Sequence, residues 1–384
     1  MAGTSFALMA LAREAISHFP LAGECTELTG VKTGHINDTF RSTWKVGHHQ
    51  KRFIHQRINK GVFPDVGAVL ENVRKVTQHL RPKLARTGSG EQTLEMLETK
   101  PGEGGLAWRD SEGNFWRTFP FVEESEGFEI CPSPDHAQAV GRAFGRFAHL
   151  LSDFDARQLK DPIARFQDVA MRLEHCEAAI AKDPCNRVGE AADLISFVRE
   201  HRDVATVFSR KLAEGALPLC VTHADPKVNN VLFAVGTTKV RCVVDLDTCM
   251  AGTVLYDFGD MVRSAGVPVA EDEKDLSKVR VDEALFGSLV HGYVAELGGI
   301  LNEEEMSLLP LAPGVIALSL GMRFLADHLL GDTYFRVSYP GHNLVRARTQ
   351  CAILAAVQSQ QATLRKLVDV AVEERASAQS AIAC

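Results

Sequence analysis

The sequence lacks cysteine pairs at metal-binding or redox spacing, and it lacks a long uninterrupted hydrophobic run. Its nine cysteines are odd in number and include no Cys-x-x-Cys pair, which disfavours a zinc site and a complete disulfide framework. We therefore expect reduced thiols and a cytoplasmic protein. No basic signal-peptide segment is present, and the longest uncharged stretch, 306–322, contains two prolines and is shorter than the roughly 20 residues of a membrane span.

The sequence also has fewer basic than acidic residues, 42 against 49. The formal net charge is -7, which disfavours binding to nucleic acid, because clustered Lys and Arg are needed to neutralise backbone phosphates. The chain has 384 residues, 45% of them hydrophobic, so it can bury a large core. The length, hydrophobic content and net charge together favour a two-lobed enzyme with a small-molecule substrate. We expect no nucleic-acid or membrane partner, and a monomer and a dimer fit equally well.

The most informative stretch, 221–263, has acidic and amide side chains at both ends of a predicted hairpin. Strands are predicted at 231–233 and 240–244, with a turn between them. Any one of the polar residues alone would be an ordinary loop residue. Together they can hold one or two hard cations through oxygen ligands and leave a carboxylate to orient a hydroxyl. In chain order they are His223, Asp225, Asn230, Asp245, Asp247 and Asp257.

The segments His223-Ala-Asp-Pro-Lys-Val-Asn-Asn230 and Val244-Asp-Leu246 resemble two motifs of the aminoglycoside phosphotransferase and choline kinase superfamily. These motifs are H-x-D-x-x-x-x-N and a hydrophobic-Asp-hydrophobic metal element. The resemblance implies an α+β, protein-kinase-like fold of two lobes, with an antiparallel five-stranded sheet in residues 1–123 and a mostly helical lobe in 124–384. It implies ATP and Mg²⁺ as cofactors. The roles it implies are catalytic base or orienting group for Asp225, magnesium ligands for Asn230 and Asp245, and structural supports for His223, Asp247 and Asp257.

The first lobe contains the predicted nucleotide-binding residues. A strand, a turn with Gly34 and a second strand are predicted in 28–44; Gly34 would let the backbone approach a ligand, although a plain hairpin turn fits equally well. In the third strand, 51–58, Gln56 stands where kinase-like folds place a phosphate-binding Lys, and Arg57 follows it.

A helix at 64–80 carries Glu71, a candidate acidic partner for the third-strand cation. A solvated surface Glu is the alternative. The resemblance further implies that the adenine is held by backbone groups of the segment Phe121, Val122 and Glu123. Other predicted elements are an opening helix at 5–19, short strands at 93–97, 106–109 and 115–122, helices at 136–151, 168–180, 189–212 and 342–372, and a capping box at 302–305.

Three further stretches are similar to the N-acetylhexosamine 1-kinases of this superfamily. They are Gly34-His-Ile-Asn-Asp38, Val244-Asp-Leu-Asp-Thr248 continuing to Tyr256-Asp-Phe-Gly-Asp-Met-Val-Arg263, and Gly321-Met-Arg-Phe-Leu325 together with Gly331-Asp-Thr-Tyr-Phe335. The resemblance implies phosphorylation of the anomeric hydroxyl of N-acetylglucosamine or N-acetylgalactosamine. It implies substrate contacts by His35, Asn37, Asp38, Arg323 and Tyr334, side chains that suit ring hydroxyls and an acetamido group.

Other functions remain as alternatives. An aminoglycoside kinase would need an acidic pocket, for which the acidic residues of 268–282 are available, and a choline kinase would need an aromatic cage. The missing third-strand Lys is also compatible with a non-catalytic pseudokinase scaffold. A metal hydrolase is disfavoured because the single loop histidine is not spaced with others as a zinc set.

Overall fold

The first part of the chain forms one antiparallel sheet and two helices. The structure, a computed structural model, describes residues 6–31 and 36–383. The sheet has the strand order β1-β2-β3-β5-β4, which confirms the predicted five strands. The elements are α1 (Phe6–Ile16), β1 (Glu24–Val31), β2 (Asp38–Val46), β3 (His49–Arg57), α2 (Val66–Thr87), β4 (Trp108–Arg109) and β5 (Phe115–Pro120).

One predicted strand, 93–97, is not part of this sheet. The segment crosses between the two lobes and makes only isolated bridges, from Gln92 to Cys242 and from Leu97 to Thr118. A pairing of single residues at each end leaves no continuous ladder, so the segment is extended chain rather than a strand.

The register of the sheet separates two faces. Phe40, His55 and Thr118 are paired across β2, β3 and β5, and this face packs in the core that includes α1. Because neighbouring residues of a strand project to opposite faces, Gln56 and its partners lie on the other face, towards the second lobe. The register therefore decides which side chains of β3 can reach the space between the lobes.

His55 is buried within the α1 face of the sheet. Its Nε2 lies 2.7 Å from the Ser42 hydroxyl, its Nδ1 lies 2.8 Å from the Thr118 hydroxyl, and the Trp44 indole donates to Ser42. Burial disfavours the charged imidazolium and lowers the pKa of His55 to about 3. The folded protein thus keeps this histidine neutral in mildly acidic solution.

We expect this histidine to make the protein sensitive to acid. The unfolded chain takes up the proton near pH 6.5, so below that pH the unfolded state binds more protons, and stability falls by about 1.4 kcal/mol per pH unit. His55→Gln cannot be protonated and should remove that part of the slope in denaturant unfolding measured between about pH 6.5 and pH 5. His49→Gln, at an exposed position in β3, is the control. Parallel curves for His55→Gln and wild type would contradict the assignment.

The second part of the chain is mostly helical. Its helices are α3 (Pro134–Leu150), α4 (Val169–Lys182), α5 (Ala192–Glu200), α6 (Arg202–Ala213), α7 (Val254–Ala265), α8 (Glu283–Leu297), α9 (Glu303–Leu308), α10 (Ala312–Leu329), α11 (His342–Ser359) and α12 (Gln361–Ala383). Its short strands are β6 (Ser125–Glu126), β7 (Cys220–Thr222), β8 (Val231–Ala234), β9 (Val240–Val243) and β10 (Met250–Gly252). Helices α3 and α8 pack closely at Gly141, where an added β-carbon would lie 2.2 Å from the Leu289 carbonyl oxygen.

The predicted capping box of α9 is confirmed, with reciprocal hydrogen bonds between Asn302 and Glu305. Two long predicted helices are each divided in two. The first breaks at His201, and the second breaks at Gln360, whose side-chain amide pairs with both backbone groups of Val281. Within 6–31 and 36–383, no helix has the length and apolar character needed to span a bilayer.

Candidate active site

Two chambers meet between the lobes, and the side chains of Asp225 and Lys227 line both of them. The sheet-side chamber, about 400 Å³, lies between the sheet and the β8–β9 hairpin. The helix-side chamber, about 870 Å³, is lined mainly by α7, α10, α11 and the segment 267–271. A group transferred from one chamber to the other would pass Asp225.

The turn that leads to Asp225 is held by Asp257 of α7. The buried Asp257 carboxylate accepts hydrogen bonds from the backbone N–H groups of His223, at 2.7 Å, and Ala224, at 2.8 Å. Burial raises the pKa of Asp257 to about 7, against the effect of these two bonds. Ala224 has φ 65°, an unfavourable conformation for a residue with a β-carbon, so the two bonds stabilise a strained turn.

His223 joins this turn to the end of β9. The imidazole is buried; its Nε2–H donates to the Val244 carbonyl at 2.9 Å, which leaves Nδ1 to accept from the Asp225 N–H at 3.3 Å. Burial lowers the pKa of His223, so the ring stays neutral. Its contacts fix the backbone on which Asp225 stands.

The Asp225 carboxylate has a cation on one side and an amide on the other. Oδ1 lies 2.6 Å from Lys227 Nζ, and Oδ2 accepts a hydrogen bond from Asn230 Nδ2 at 3.3 Å. The side chain is 23% exposed, so it remains open to ligands in both chambers. Sequence reasoning missed Lys227, because it occupies an unspecified position of the H-x-D-x-x-x-x-N pattern.

Asp245 and Asn230 face the sheet-side chamber, and their oxygens suit a hard cation. The Asp245 carboxylate is exposed to the chamber and makes no hydrogen bond with any described residue; Asn230 donates through Nδ2 to the Asp225 carbonyl at 2.8 Å. The surrounding walls desolvate Asp245, and with the nearby charges of Asp247 and Asp225 they raise its pKa to about 7.

Within 6–31 and 36–383, no three or more His, Cys, Asp or Glu side chains are grouped so that they could hold a metal ion by themselves, and this applies to the present site as well. One carboxylate and one amide oxygen facing the chamber fit Mg²⁺, which is commonly held by one or two side chains together with phosphate oxygens and water.

This arrangement agrees with the family to which the sequence is similar. Residues 27–284 match the model of the phosphotransferase enzyme family. The chain belongs to this family. It is a small-molecule kinase that phosphorylates hydroxyl groups, as the catalytic motif predicts.

Solved structures show the same fold. A microcompartment-associated aminopropanol kinase is 17% identical, with a TM-score of 0.59, and the match covers 93% of this chain and 98% of that one. A choline kinase from Cryptosporidium parvum is 13% identical (TM-score 0.55; 95% and 97% covered). A spectinomycin phosphotransferase in complex with ADP and spectinomycin is 12% identical (TM-score 0.55; 91% and 98% covered). These likenesses confirm the predicted two-lobed, protein-kinase-like fold.

The structure brings some of the predicted nucleotide-binding residues together. Gln56, Phe121 and Val122 line the sheet-side chamber. Glu123 does not line it; its carboxylate pairs with Arg52, whose guanidinium lies over the Phe121 ring. Gly34 falls outside the described residues.

Two other candidates are turned away from this chamber. Arg57 is on the opposite face of the sheet, one residue from Gln56, and its guanidinium pairs with Asp38 at 2.7 Å. Glu71 pairs with Arg74 and Lys75 of its own helix rather than with a cation of the sheet. Three other cations line the chamber: Arg41 of β2, Lys227, and Arg117 of β5. Sequence reasoning missed Arg117, although the pairing of β5 with β3 places it opposite Gln56.

The predicted substrate-binding residues are divided by the fold. Arg323 lines the helix-side chamber, and Tyr334 is close to it, with its hydroxyl 3.5 Å from Arg323 Nη2. Asn37 instead lines the sheet-side chamber, where its Nδ2 donates to Asp247 Oδ2 at 2.8 Å. Asp38 also departs from the expectation, because its register pairs it with Arg57 on the far face of the sheet. His35 lies outside the described residues.

Cationic side chains outnumber anionic ones in the wall of the helix-side chamber. Three of the cations are paired with carboxylates, Lys227 with Asp225 at 2.6 Å, Arg263 with Asp260 at 2.6 Å and Arg346 with Glu271 at 3.1 Å. Arg323 has no carboxylate partner among the described residues. Its guanidinium lies 5.2 to 5.9 Å from three aromatic rings. The charged residues of the wall are Asp225, Lys227, Asp260, Arg263, Glu271, Arg323, Arg336 and Arg346.

Proposed function

We propose that the protein is an ATP-dependent sugar 1-kinase, which transfers the γ-phosphoryl group of ATP to the anomeric hydroxyl of an N-acetylhexosamine. The observation that carries the proposal is Arg323, a guanidinium without a carboxylate partner in the described chain. It lies in the wall of the helix-side chamber, which meets the sheet-side chamber at Asp225. A guanidinium donates hydrogen bonds in fixed directions, which suits an acetamido carbonyl or a pair of ring hydroxyls.

In this proposal Asp225 orients the sugar hydroxyl and accepts its proton as the phosphoryl group is transferred. Lys227, at 2.6 Å from the Asp225 carboxylate, adds a positive charge beside the transferred group. Asp245 and Asn230 would hold Mg²⁺, which supplies charge neutralisation to the phosphate oxygens. No covalent enzyme intermediate is needed, because positioning and electrostatic stabilisation provide most of the catalysis in phosphoryl transfer.

A quaternary ammonium substrate is disfavoured by the aromatic residues themselves. Such substrates are bound over aromatic faces. Here the rings of Phe166, Tyr334 and Phe335 surround the guanidinium of Arg323, so the cluster already contains a cation of the protein. A second cation at the same rings would be repelled.

A polycationic aminoglycoside is disfavoured by the balance of charge in the chamber wall. The acidic segment that could have favoured it is mostly engaged within the protein. Glu271 pairs with Arg346, Asp272 accepts from the Tyr339 hydroxyl at 2.9 Å, and Asp275 lies at the surface, where it accepts from Ser277. A small neutral polyol meets no such repulsion.

Shortening Arg323 should weaken sugar binding specifically. We expect Arg323→Ala to raise the KM for the sugar by about tenfold or more, because a buried hydrogen-bonding partner in the complex is left unpaired at a cost of about 1–3 kcal/mol. The KM for ATP should change little, since Arg323 does not line the sheet-side chamber.

Arg348→Ala is the matched control for this variant. Arg348 is an arginine of α11 that pairs with Asp193 and lies outside both chambers. Equal increases in the two KM values of Arg323→Ala would contradict a role in acceptor recognition.

The choice of acceptor can be tested by measuring ADP release with ATP, Mg²⁺ and a panel of alcohols. The panel consists of N-acetylglucosamine, N-acetylgalactosamine, glucose, choline and kanamycin. We expect the two acetamido sugars to be the best substrates, glucose to be weaker, and the two cations to be inactive. Preferred turnover of choline or kanamycin would overturn the proposal, and the absence of turnover with every acceptor would favour a non-catalytic protein.

A further inference from the structure

No cation of the third strand lines the sheet-side chamber; Gln56 stands at the position where one is expected. The amide of Gln56 is neutral and already engaged. Its Oε1 accepts hydrogen bonds from Arg117, at 2.7 Å from Nη2 and 3.1 Å from Nε, and its Nε2 donates to the Thr39 hydroxyl at 3.4 Å. Gln56 therefore brings no charge to the chamber and instead fixes the guanidinium of Arg117.

Arg117 can reach the place that a third-strand lysine would occupy. Residues 56 and 117 are directly paired in the register of β3 and β5. Side chains at such a pair project from the same face of the sheet with β-carbons about 5 Å apart. The arginine side chain is longer than this separation. The guanidinium of a residue on β5 can therefore lie in the same part of the chamber as the ammonium group of a lysine on β3.

Arg117 is paired with an acid of the other lobe. Its Nη1 lies 2.6 Å from Asp247 Oδ1, and its Nη2 donates to Asp247 Oδ2 at 2.8 Å. Both side chains are buried, at 2% and 3% exposure, and Asn37 donates to the same carboxylate. Asp247 follows the metal-site residue Asp245 by two positions, so the pair anchors the guanidinium beside the predicted metal site.

The guanidinium keeps hydrogen-bonding capacity that the protein does not use. Nη1 is buried and lies 2.6 Å from Asp247 Oδ1, a contact that accounts for one of its two N–H groups; the other N–H has no acceptor among the described residues. One face of the guanidinium lies over the Phe119 ring, at 5.0 Å. A buried donor without an acceptor is unfavourable, so this atom calls for an acceptor supplied by a ligand.

We propose that Arg117 is the residue that binds the nucleotide phosphates, in place of a third-strand lysine, and that Asp247 is the carboxylate that positions it, in place of Glu71. The inference rests on the proposed function insofar as the ligand is a nucleoside di- or triphosphate. A guanidinium held rigidly by Gln56 and Asp247 can donate its remaining N–H in a fixed direction to a phosphate oxygen and place its positive charge beside the phosphates. The ion pair also joins the two lobes across the chamber that the nucleotide enters.

The test compares ADP with adenosine, each with Mg²⁺, by titration calorimetry without an acceptor. The variant Arg117→Met/Asp247→Asn removes both charges, so no buried charge is left unpaired. We expect its affinity for ADP to fall by about tenfold or more, the usual size of a charged hydrogen bond, and its affinity for adenosine to stay within about twofold. Adding Gln56→Lys should restore most of the lost affinity for ADP.

Two further variants separate phosphate binding from structural support. Arg117→Lys keeps the charge pair with Asp247 but loses the planar fork, and we expect a smaller, ADP-specific loss. Arg57→Met/Asp38→Asn removes a more exposed arginine–aspartate pair on the opposite face of the sheet and should change neither affinity.

Equal losses for ADP and adenosine in the Arg117 variants, or unchanged ADP binding, would overturn the inference, as would failure of Gln56→Lys to restore ADP binding. A wrong acceptor assignment gives a different result: no turnover of sugars, with the ADP-specific effect intact.

Discussion

Asp225→Asn should lower turnover by about two orders of magnitude or more, because the amide can neither accept the proton of the acceptor hydroxyl nor orient that hydroxyl as a carboxylate does. Nucleotide affinity should change little. The substitution keeps the size of the side chain, and the turn around it is held by other groups, namely Asp257 and His223. Single-turnover rates with ATP and Mg²⁺, together with equilibrium binding of ADP, measure both effects.

Asp260→Asn is the control for this variant. Asp260 also lines the helix-side chamber, but its carboxylate is paired with Arg263 at 2.6 Å and is not part of the sheet-side chamber. We expect its effect on turnover to be much smaller. A turnover of Asp225→Asn close to that of wild type would exclude Asp225 as the base or orienting group.

Asp245→Ala should abolish most of the activity by a different route. The carboxylate is exposed to the sheet-side chamber without a hydrogen-bond partner in the described chain, and Asn230 next to it is neutral. Loss of the anionic ligand should weaken the magnesium–nucleotide complex, and several kcal/mol of lost metal stabilisation correspond to about a hundredfold or more in rate.

The two variants should differ in their dependence on metal. For Asp245→Ala, activity should rise with Mg²⁺ concentrations well above those that saturate wild type, whereas Asp225→Asn should not respond. Asp275→Asn, in an exposed turn, is the control for a lost surface carboxylate. Wild-type activity of Asp245→Ala at ordinary Mg²⁺ would show that Asp245 is not a ligand.

The sequence was sufficient to predict the fold because the H-x-D-x-x-x-x-N segment resembles that of a known superfamily, and the family match and the sheet agree with what the resemblance implied. The hairpin that precedes Asp245 and the capping box at Asn302 were predictable because each depends on a few neighbouring residues. Helix ends were less predictable. The break at Gln360 depends on hydrogen bonds to Val281, a residue distant in the chain.

The walls of the chambers were harder to predict because they depend on register. Alternation along a strand gives two faces, but the sequence does not say which face meets the other lobe. Arg57 was therefore a candidate for the nucleotide phosphates and Asp38 for the sugar, whereas the two side chains pair with each other on the far face of the sheet. Arg117 was missed for the same reason: its relation to Gln56 exists only once β5 is paired with β3.

The position of the phosphate in the product tests the account most directly. The protein would be incubated with ATP, Mg²⁺ and N-acetylglucosamine, with Asp225→Asn as the inactive control, and the product examined by phosphorus and proton NMR. The account predicts a phosphate on C1, with its phosphorus signal split by coupling to the anomeric proton. A phosphate on C6, or no phosphorylated sugar while ATP binds normally, would contradict it.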